Sequence, residues 1–545
     1  MSVTLTFHGA CGIVTGSCFR LSTAKATVLI ECGLFQGTKT VRNLNYGPLP
    51  FDPKSIAATV LTHAHIDHCG LVPKLVRSGF KGDIFATPAT GDLLSYVLPD
   101  SGHIQEIEVE RLNWRNRRRG QPPVSPIYTR KDAEDALSRI VPKEYQEWFD
   151  IAPGMRGRYW DAGHILGSAS LELAVELPDE DKPLSLLFSG DIGPGGKVLH
   201  DDPDAPHDID AVIMETTYGD RERDDLTPEQ RRAHLGDVIQ RGLGKGGLIL
   251  IPCFAVERTQ ELLVDLDALF DSRALPEVPV YVDSPLATRA TEVFDRHLED
   301  LADDGPTHPF RRGNVRFVKD VEESKGLSRL SGGAIIMAGS GMADAGRIRH
   351  HLRNNLHKTN TTVLLVGYQA PGTMGHLLCN GRKMVRIHGE EISVKAEIVM
   401  IDEYSGHADD RALLAWLGDR LPVHNDIFLV HGEEPSRVAF AAAARERFGA
   451  DLPLRLPVMG ETVSLSKSKP AKTLAKRPPL IDPADTIADW HNMYAETILA
   501  LRHALEAAAN DKERRHLLER MAKVIGDKRS HAKDRRTVRS QRKKG

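Results

Sequence analysis

The densest group of reactive side chains in the 545-residue chain is the run His63-Ala-His65-Ile-Asp67-His68. Three imidazoles and a carboxylate placed this closely are unfavourable neighbours unless a cation organises them. Zn²⁺ prefers nitrogen and oxygen ligands of this kind, and a catalytic zinc site keeps one position open for water. The apolar segment Ala57–Leu61, which we expect to be a β-strand, directly precedes the run. The pattern therefore predicts a metal site at a strand end and disfavours a solvated polar loop.

Three further polar residues lie beside other predicted strands. His164 precedes the alternating segment Leu171–Leu177, Asp191 follows Leu184–Phe188, and His431 follows Ile427–Val430. A single histidine at a strand end is more often structural than a metal ligand. Four clusters of the same chemistry at strand ends form a set, so the sequence favours one metal centre assembled from distant segments.

A glycine-rich turn, Gly339-Ser-Gly-Met342, separates the predicted strand Ala334–Met337 from the predicted helix Ala343–Leu352. Such turns direct backbone N–H groups towards an anion. The turn has no following Lys-Ser/Thr pair and is not a Walker A loop. We expect Ser340 and Gly341 to hold a substrate phosphate, with an ordinary tight turn as the alternative.

Two kinds of segment must position these residues. The first 200 residues contain short β runs between glycine-rich turns, with a polar, helical stretch between Ala89 and Gly157 that includes the basic run Arg115–Arg119. From about Gly246 a strand, a turn and a helix follow one another four times. Buried apolar strands alternating with helices are typical of a parallel, doubly wound sheet.

The C-terminal part has a different composition. Lys467–Pro479 is rich in lysine, proline and serine and is predicted to be a linker. After it, apolar residues at helical spacing predict a helix that packs on the body or on a second copy of the chain. These residues are Ile487, Trp490, Tyr494, Ile498, Leu501 and Leu505.

Composition excludes several classes of protein. The apolar runs are far shorter than the roughly 20 residues that span a bilayer, and the first residues do not resemble a signal peptide. The six cysteines are scattered without a CxxC pair, which favours a reducing compartment, so we expect a cytoplasmic protein. The net charge of −4 is the sum of a +10 tail from residue 467 onwards and a −14 body. A basic tail is a common feature of nucleic-acid-binding proteins, although a solvated tail is an equally good interpretation.

The HxHxDH run, the later histidine, the Gly-Asp pair and the last histidine resemble the metallo-β-lactamase fold. Six further motifs make the sequence similar to the β-CASP nucleases, a family that includes bacterial ribonucleases and the mRNA 3′-end-processing endonuclease. The resemblance covers about residues 5–465. The motifs are Glu215-Thr-Thr-Tyr-Gly-Asp220, Ile251-Pro-Cys-Phe-Ala-Val-Glu-Arg-Thr-Gln260, Asp283-Ser-Pro-Leu286, Gly339-Ser-Gly-Met342, Gly367-Tyr-Gln-Ala-Pro-Gly-Thr373 and Ser405-Gly-His-Ala-Asp409.

This resemblance implies a fold and domain limits. We expect an α/β protein in which a metallo-β-lactamase αββα sandwich carries an inserted, doubly wound β-CASP domain and a basic, helical C-terminal extension. The expected limits are 1–217 and 390–466 for the two parts of the sandwich and 218–389 for the β-CASP domain. Residues 467–545 would form the linker and the partly helical basic tail.

The resemblance also implies two Zn²⁺ ions and the residues that hold them. One ion would be bound by His63, His65, His164 and Asp191. The other would be bound by Asp67, His68, His431 and the shared Asp191.

In the family, the last histidine is typical of members that act on RNA. The resemblance assigns His407 as the general acid, Glu215 as the carboxylate that orients it, and Asp67 as a further catalytic residue. Two zinc ions activate water and neutralise phosphodiester charge, and an imidazole can protonate a leaving alkoxide near neutral pH.

One position departs from the family pattern. Glu31 stands where the family usually has aspartate, at a position that supports a ligand histidine. Contacts of this kind tune metal affinity, and we expect the longer side chain to cause only a modest loss.

The sequence thus predicts a zinc-dependent ribonuclease that hydrolyses single-stranded RNA. A DNA nuclease of the same fold and a non-catalytic RNA-binding scaffold are the alternatives, whereas a small-molecule metallo-hydrolase is disfavoured by the insertion and the His407 motif. RNA affinity is expected from the β-CASP face, Arg115–Arg119 or the basic tail. Homodimerisation through the apolar stripe of residues 487–505 is the competing role for that tail.

Overall fold

Three β-sheets and one hairpin organise the part of the chain that the computed structural model describes. The described residues are 3–524 apart from 179, 224–225, 299–300, 302–309, 368, 370–371, 468, 477–485 and 487–488. They fall into two units, Met1–Thr486 and Ile487–Gly545.

The strands are β1 (Val3–Phe7), β2 (Phe19–Ser22), β3 (Thr27–Ile30), β4 (Ala58–Val60), β5 (Asp83–Ala86), β6 (Ile140–Pro142), β7 (Phe149–Ala152), β8 (Met155–Asp161), β9 (Ala169–Val175), β10 (Leu184–Phe188), β11 (Ala211–Glu215), β12 (Leu248–Pro252), β13 (Val280–Val282), β14 (Val315–Phe317), β15 (Ala334–Ala338), β16 (Thr362–Val366), β17 (Met384–Ile387), β18 (Glu390–Ser393), β19 (Glu397–Ile401), β20 (Asp426–Val430), β21 (Leu454–Arg455), β22 (Thr462–Leu465) and β23 (Lys472–Ala475).

The α-helices are α1 (Lys39–Asn43), α2 (Ile66–Cys69), α3 (Val72–Arg77), α4 (Pro88–Arg118), α5 (Arg130–Leu137), α6 (Pro228–Gly244), α7 (Arg258–Asp271), α8 (Pro285–Arg296), α9 (Val321–Gly326), α10 (Ile348–Asn355), α11 (Met374–Cys379), α12 (Asp410–Gly418), α13 (Glu434–Phe448) and α14 (Trp490–Ala507). Short 3-10 turns lie at Leu44–Tyr46, Pro53–Ser55 and Leu327–Arg329.

Two sheets pack face to face and form the sandwich. One has the order β23-β22-β1-β2-β3-β4-β5-β6 and the other β21-β20-β11-β10-β9-β8-β7. Alternate strand residues such as Val60 and Phe188 fill the core between the sheets, because successive side chains of a strand point to opposite faces. The outer faces are covered by α3, α4 and α5 on one side and by α12 and α13 on the other. This is the αββα sandwich of the metallo-β-lactamase fold.

The third sheet belongs to the inserted β-CASP domain. Its strands run in the order β14-β13-β15-β12-β16-β19, and all the pairs are parallel. Leu248 and Leu250 pack in the core on one face, and Ile249 and Ile251 pack in the core on the other. Helices cover both faces, as a parallel sheet requires. The expected α/β fold class and doubly wound insertion are confirmed.

Strand pairing differs from the expected domain limits at two places. β19 lies beyond residue 389 but pairs in parallel with β16, so it extends the β-CASP sheet. Part of the predicted linker is β23, which pairs with β22 at the edge of the sandwich. All four side chains of β23 are exposed, and an edge strand without a buried face has no apolar periodicity to reveal it.

Two other segments differ from the sequence-based expectation. The stretch expected to be helical up to Gly157 contains β6, β7 and the start of β8 after α5. The helix expected at Ala343 is α10, which begins at Ile348 because the turn continues through Gly346 at φ 72°.

The expected C-terminal helix is observed as α14 in the second unit. The side chains of Trp490, Tyr494 and Ile498 are exposed on it, while Ile487 lies outside the described residues. Among the described residues, no helix is both long and apolar enough to cross a membrane.

Candidate metal centre and active site

The fold brings the seven predicted ligands to one edge of the sandwich. The loop after β4 carries His63 and His65, and α2 carries Asp67 and His68. The remaining three come from the turn before β9, from the loop after β10 and from the residue after β20. They are His164, Asp191 and His431. β3 and β4 are parallel, as are β10, β11 and β20, so their C-terminal ends meet at this edge.

The first ligand group consists of His63, His65, His164 and Asp191, whose donor atoms all lie within 4.8 Å of one another. His65 Nδ1 is 3.2 Å from His63 Nε2 and 3.1 Å from His164 Nε2. The Asp191 Oδ2 atom is 3.5 Å from His63 Nε2 and 3.7 Å from His164 Nε2. Three nitrogen donors and one oxygen donor this close together match the ligand types that zinc prefers.

The second group is Asp67, His68 and His431. His68 Nε2 lies 3.0 Å from His431 Nε2, and Asp67 Oδ2 lies 3.7 Å from His431 Nε2. Asp191 stands between the two groups, because its Oδ2 is also 3.3 Å from His68 Nε2. The other oxygen, Asp191 Oδ1, is buried and has no hydrogen-bond partner among the described residues. A buried carboxylate oxygen with no donor is unusual, and a cation bound here would satisfy it.

Hydrogen bonds behind the histidines turn their lone pairs towards the centre. Thr62 donates its hydroxyl proton to Glu31 Oε1 at 2.5 Å, so its oxygen accepts from His63 Nδ1 at 3.0 Å. His68 Nδ1 donates to the same Glu31 oxygen at 2.7 Å. In both rings the proton on Nδ1 leaves the Nε2 lone pair facing inwards.

The other two histidines are oriented in the same way. His164 Nδ1 donates to the carbonyl of Gly406 at 2.7 Å. Thr217 donates its hydroxyl proton to the His431 carbonyl at 3.1 Å and accepts from His431 Nδ1 at 3.0 Å. All four rings therefore present Nε2 to the metal positions.

Glu31 supports the ligands despite its extra methylene. Its side chain is buried and contacts both Thr62 and His68, as described above. Its backbone has φ 64°, in the left-handed region that disfavours side chains, and its N–H donates to the Val60 carbonyl at 2.8 Å. The neighbouring Gly33 lies so close to the Asp67 carbonyl that a Cβ would be 1.6 Å from that oxygen. The longer carboxylate still reaches both of the groups that it supports.

Burial and neighbouring charges shift the ligand pKa values. Burial lowers the pKa of His63 and His164 well below the usual histidine range and that of His65 to about 4. These three rings are therefore neutral near pH 7, the form that binds metal. For Asp191, burial acts to raise the pKa but is outweighed by His431 and His68, so the carboxyl stays ionised. The donor chemistry fits a divalent cation.

His407 and Glu215 form a pair beside the metal positions. His407 Nδ1 is 3.1 Å from Glu215 Oε1 and 3.9 Å from Asp191 Oδ2. Glu215 is fully buried and accepts the Ile192 N–H at 2.6 Å and the Thr217 N–H at 3.1 Å. Two backbone donors hold the carboxylate in place, so it can orient the imidazole.

The glycine-rich turn differs from the expected helix N-terminus. The Ser340 N–H donates to the Ala345 carbonyl at 3.2 Å, and the Ser340 hydroxyl accepts the Ala345 N–H at 3.2 Å. Gly341 packs against Phe254, whose ring would be 2.6 Å from an added Cβ. Because α10 begins only at Ile348, the turn is separated from the helix by several residues.

Several residues around the site were not identified from the sequence. Thr62, Thr217 and Gly406 orient ligands, and Arg223 donates to the His407 carbonyl. Thr217 and Gly406 lie within two of the family-like motifs, and Thr62 directly precedes His63, so their positions but not their roles were visible in the sequence. Lys197 donates to the His164 carbonyl at 2.7 Å from a loop that shows no motif.

Three family models match successive parts of the chain. The metallo-beta-lactamase superfamily matches residues 11–225, the Beta-Casp domain residues 259–378, and the Zn-dependent metallo-hydrolase RNA specificity domain residues 391–455.

Curated relatives match over most of the chain. A protein named ribonuclease TTHA0252 from Thermus thermophilus is 36% identical over 460 residues, which cover 82% of this chain and 99% of the relative. The transcription termination factor FttA of Methanosarcina mazei is 30% identical, over 82% of this chain and 69% of its own length. An RNase J-like protein of Methanocaldococcus jannaschii is 29% identical, over 84% of this chain and 99% of its own.

Proposed function

Because the chain belongs to the β-CASP family of metallo-β-lactamase-fold ribonucleases, metal-dependent hydrolases, we propose that it binds two Zn²⁺ ions and hydrolyses phosphodiester bonds of single-stranded RNA. We assign it to RNA processing or decay in the cytoplasm. We include in this proposal the number and identity of the ions, the two-metal mechanism and the roles of the individual residues.

The position of Asp191 carries the proposal. Its carboxylate lies between two histidine groups, because its Oδ2 atom is 3.5 Å from His63 Nε2 in the first group and 3.3 Å from His68 Nε2 in the second. A carboxylate in this place suits two cations that share it. When bound, two Zn²⁺ ions would activate water near neutral pH and neutralise charge on the phosphodiester.

The protein groups supply the remaining chemistry. The four Nε2 lone pairs, His65 Nδ1 and the carboxylates of Asp191 and the partly exposed Asp67 would hold the ions. In its imidazolium form, His407 holds one proton on Nδ1 against Glu215 and a second on Nε2, which it can donate to the leaving oxygen of the cleaved strand. Glu215 keeps the ring oriented for that transfer. We also propose that Ser340 and Gly341 contact a substrate phosphate, through the turn itself because the helix begins further along the chain.

The experiment that tests the proposal is product mapping on end-labelled RNA and DNA of equal sequence, with zinc and with a chelator. We expect cleavage of RNA in zinc and none with the chelator. Cleavage of DNA alone would make the protein a DNA nuclease. Full zinc loading without cleavage of either strand would support an RNA-binding scaffold, and Asp191→Ala is the inactive reference.

We propose that the basic tail adds to RNA affinity. A truncation at Lys467 would remove β23 from the sandwich, so deletion of residues 487–545 is the cleaner variant. We expect weaker RNA binding and a smaller dependence on salt, since fewer counterions are released. An unchanged affinity and salt dependence would contradict this role, and a change in mass by light scattering would indicate homodimerisation through the tail.

A further inference from the structure

A basic surface lies outside the metal centre, on α10, on the β17–β18 turn and on the end of α4. Arg111, Trp114, Arg118 and His388 are exposed on it, and Arg349 and Arg353 are half-buried. Residues 345–358 contain four arginines or lysines, residues 380–389 contain three and residues 111–119 contain five, with no aspartate or glutamate in any of these segments. The body as a whole carries −14, so this concentration of positive charge stands out from its surroundings. We call it the basic seam and define it by Arg349, Arg353 and His388 on the inserted domain and Arg111, Trp114 and Arg118 on α4.

The inserted-domain side of the basic seam is crowded with cationic groups. The rings of His350 and His388 are 4.5 Å apart, and Arg353 is 3.8 Å from Glu390. Arg349 donates to the backbone carbonyl of Asp344 at 3.1 Å, and this hydrogen bond does not neutralise the arginine's charge. Burial and the neighbouring arginines lower the pKa of both imidazoles, as expected where positive charge is in excess.

The α4 side of the basic seam carries an exposed aromatic ring among arginines. Arg111 and Arg118 are seven residues apart and share one helix face with Trp114 between them. Trp114 is 57% exposed, and the Arg118 guanidinium lies 4.9 Å from the centre of its ring. Earlier in α4, Asp92 contacts His297 of the inserted domain at 3.0 Å, so the helix packs against that domain. After burial, repulsion from Arg349 and Arg353 and, more weakly, from Arg111 of α4 lowers the pKa of His388, so positive charge from both sides acts on one imidazole.

We propose that the basic seam binds the backbone of a single-stranded RNA outside the metal centre, with one base stacked on Trp114. This inference rests on the proposed function, because it names a second contact surface for the same substrate. Arginines on both sides match the regular negative charge of a phosphodiester chain. An exposed indole beside a guanidinium is the combination by which proteins bind single-stranded nucleic acid without sequence preference.

The test compares a triple variant, Arg111→Ala/Arg349→Ala/Arg353→Ala, with the wild type. Binding is measured by fluorescence anisotropy in a chelating buffer, with RNA of about 20 nucleotides and of about 4 nucleotides. For the long RNA we expect Kd to rise on the order of tenfold or more, and the salt slope to fall by about 0.7 for each lost contact. The short RNA makes fewer backbone contacts, so we expect its Kd to rise by a smaller factor.

The matched control is Lys25→Ala/Arg130→Ala/Lys131→Ala, which removes the same charge from exposed ion pairs elsewhere. We expect its long-RNA Kd to stay close to that of the wild type. An equal effect of the two triple variants would overturn the proposal, because RNA affinity would then depend on the total charge of the protein and not on the basic seam. A change in mass by light scattering without a change in RNA affinity would also overturn it and would indicate contact between two copies.

Trp114 provides an independent readout. We expect Trp114→Ala to weaken long-RNA binding on the order of tenfold and Trp114→Phe to restore most of it, because a phenyl ring still stacks. An effect of Trp114→Phe as large as that of Trp114→Ala would refute stacking. The two proposals fail in different ways. A wild type that neither binds nor cleaves RNA overturns both. Normal RNA cleavage together with seam variants that behave like the control overturns only the proposal for the basic seam.

Discussion

Two buried clusters of charge lie side by side in this protein, and they balance their carboxylates in different ways. In the metal centre, the groups that lower the Asp191 pKa are the histidines His431, His68 and His63. In the second cluster, which joins the inserted domain to the sandwich, Lys197, Arg258 and Arg231 lower the pKa of Glu261 to about 2 against the opposing effect of burial. We call this second cluster the interdomain charge network.

The interdomain charge network satisfies its own charges. Lys197 lies 3.6 Å from Glu261 and 3.8 Å from Glu257, and His200 lies 2.6 Å from Glu257. Permanent cations stand opposite buried carboxylates there, so nothing further is needed.

The metal centre has imidazoles where the network has ammonium and guanidinium groups. Against the effect of burial, Asp191 and Glu31 raise the pKa of His68, and Asp191 and Asp67 raise that of His431, so protons on these two rings balance the carboxylates until a metal cation from solution replaces them. His63, His65 and His164 stay neutral near pH 7 and offer lone pairs. In these two clusters, the type of basic residue distinguishes a structural charge network from a candidate metal site.

The largest expected effect is that of Asp191→Ala, which removes the shared carboxylate. We expect loss of bound zinc and a fall in kcat on the order of a thousandfold or more, because metal ions supply several kcal/mol of transition-state stabilisation. Elemental analysis after dialysis and single-turnover cleavage measure the two quantities. A variant with full zinc content and near-normal turnover would contradict the assignment of Asp191.

Glu261→Gln tests the other cluster. Removal of one charge from a buried network leaves its cations uncompensated, so the free energy of unfolding should fall by about 3 kcal/mol. Urea denaturation gives the value, and zinc content per folded molecule should be unchanged. The control is Glu292→Gln, whose exposed pair with Arg289 contributes less than about 1 kcal/mol. A loss of zinc in Glu261→Gln with normal stability would contradict the assignment of a structural role to the interdomain charge network.

The pH dependence of the unfolding free energy gives a second test of Glu261. The Glu261 pKa is lowered from 4.5 to about 2 in the folded state, so the unfolded chain takes up the proton first as the pH falls. The stability that Glu261 contributes is complete above pH 4.5 and is lost as the pH approaches 2. The difference in unfolding free energy between wild type and Glu261→Gln should therefore shrink over this window. A difference that stays constant would show that Glu261 is not ionised in the folded protein.

The smallest expected effect is that of Glu31→Asp, which restores the residue usual in the family. The Glu31 carboxylate already reaches His68 at 2.7 Å, so we expect zinc affinity and turnover to change less than about tenfold. Competition with a chromophoric chelator measures the affinity, and Glu31→Ala is the reference for complete loss of the contact. A large gain in Glu31→Asp would mean that the natural site is impaired.

Much of the fold was predictable from local patterns. The inserted sheet was recognisable because strands buried on both faces, such as Leu248–Pro252 and Thr362–Val366, are continuous apolar runs. The edge strand β23 and the short β14 were missed, because neither has a buried face with a clear period. The assignment of β19 to the inserted sheet depends on its pairing with β16, which no local pattern encodes.

The sequence by itself determined the chemistry of the site. The close spacing in residues 63–68 places several donors on one loop, and strand ends supply the rest. Only the tertiary structure decided the geometry, because the lone pairs of His164 and His431 are set by Gly406 and Thr217, which lie far along the chain from them. The same holds for Lys197, which is an ordinary lysine in the sequence and becomes a buried link to the His164 carbonyl in the fold. Residue types and their local spacing are written in the chain, whereas burial and orientation arise only when distant segments pack together.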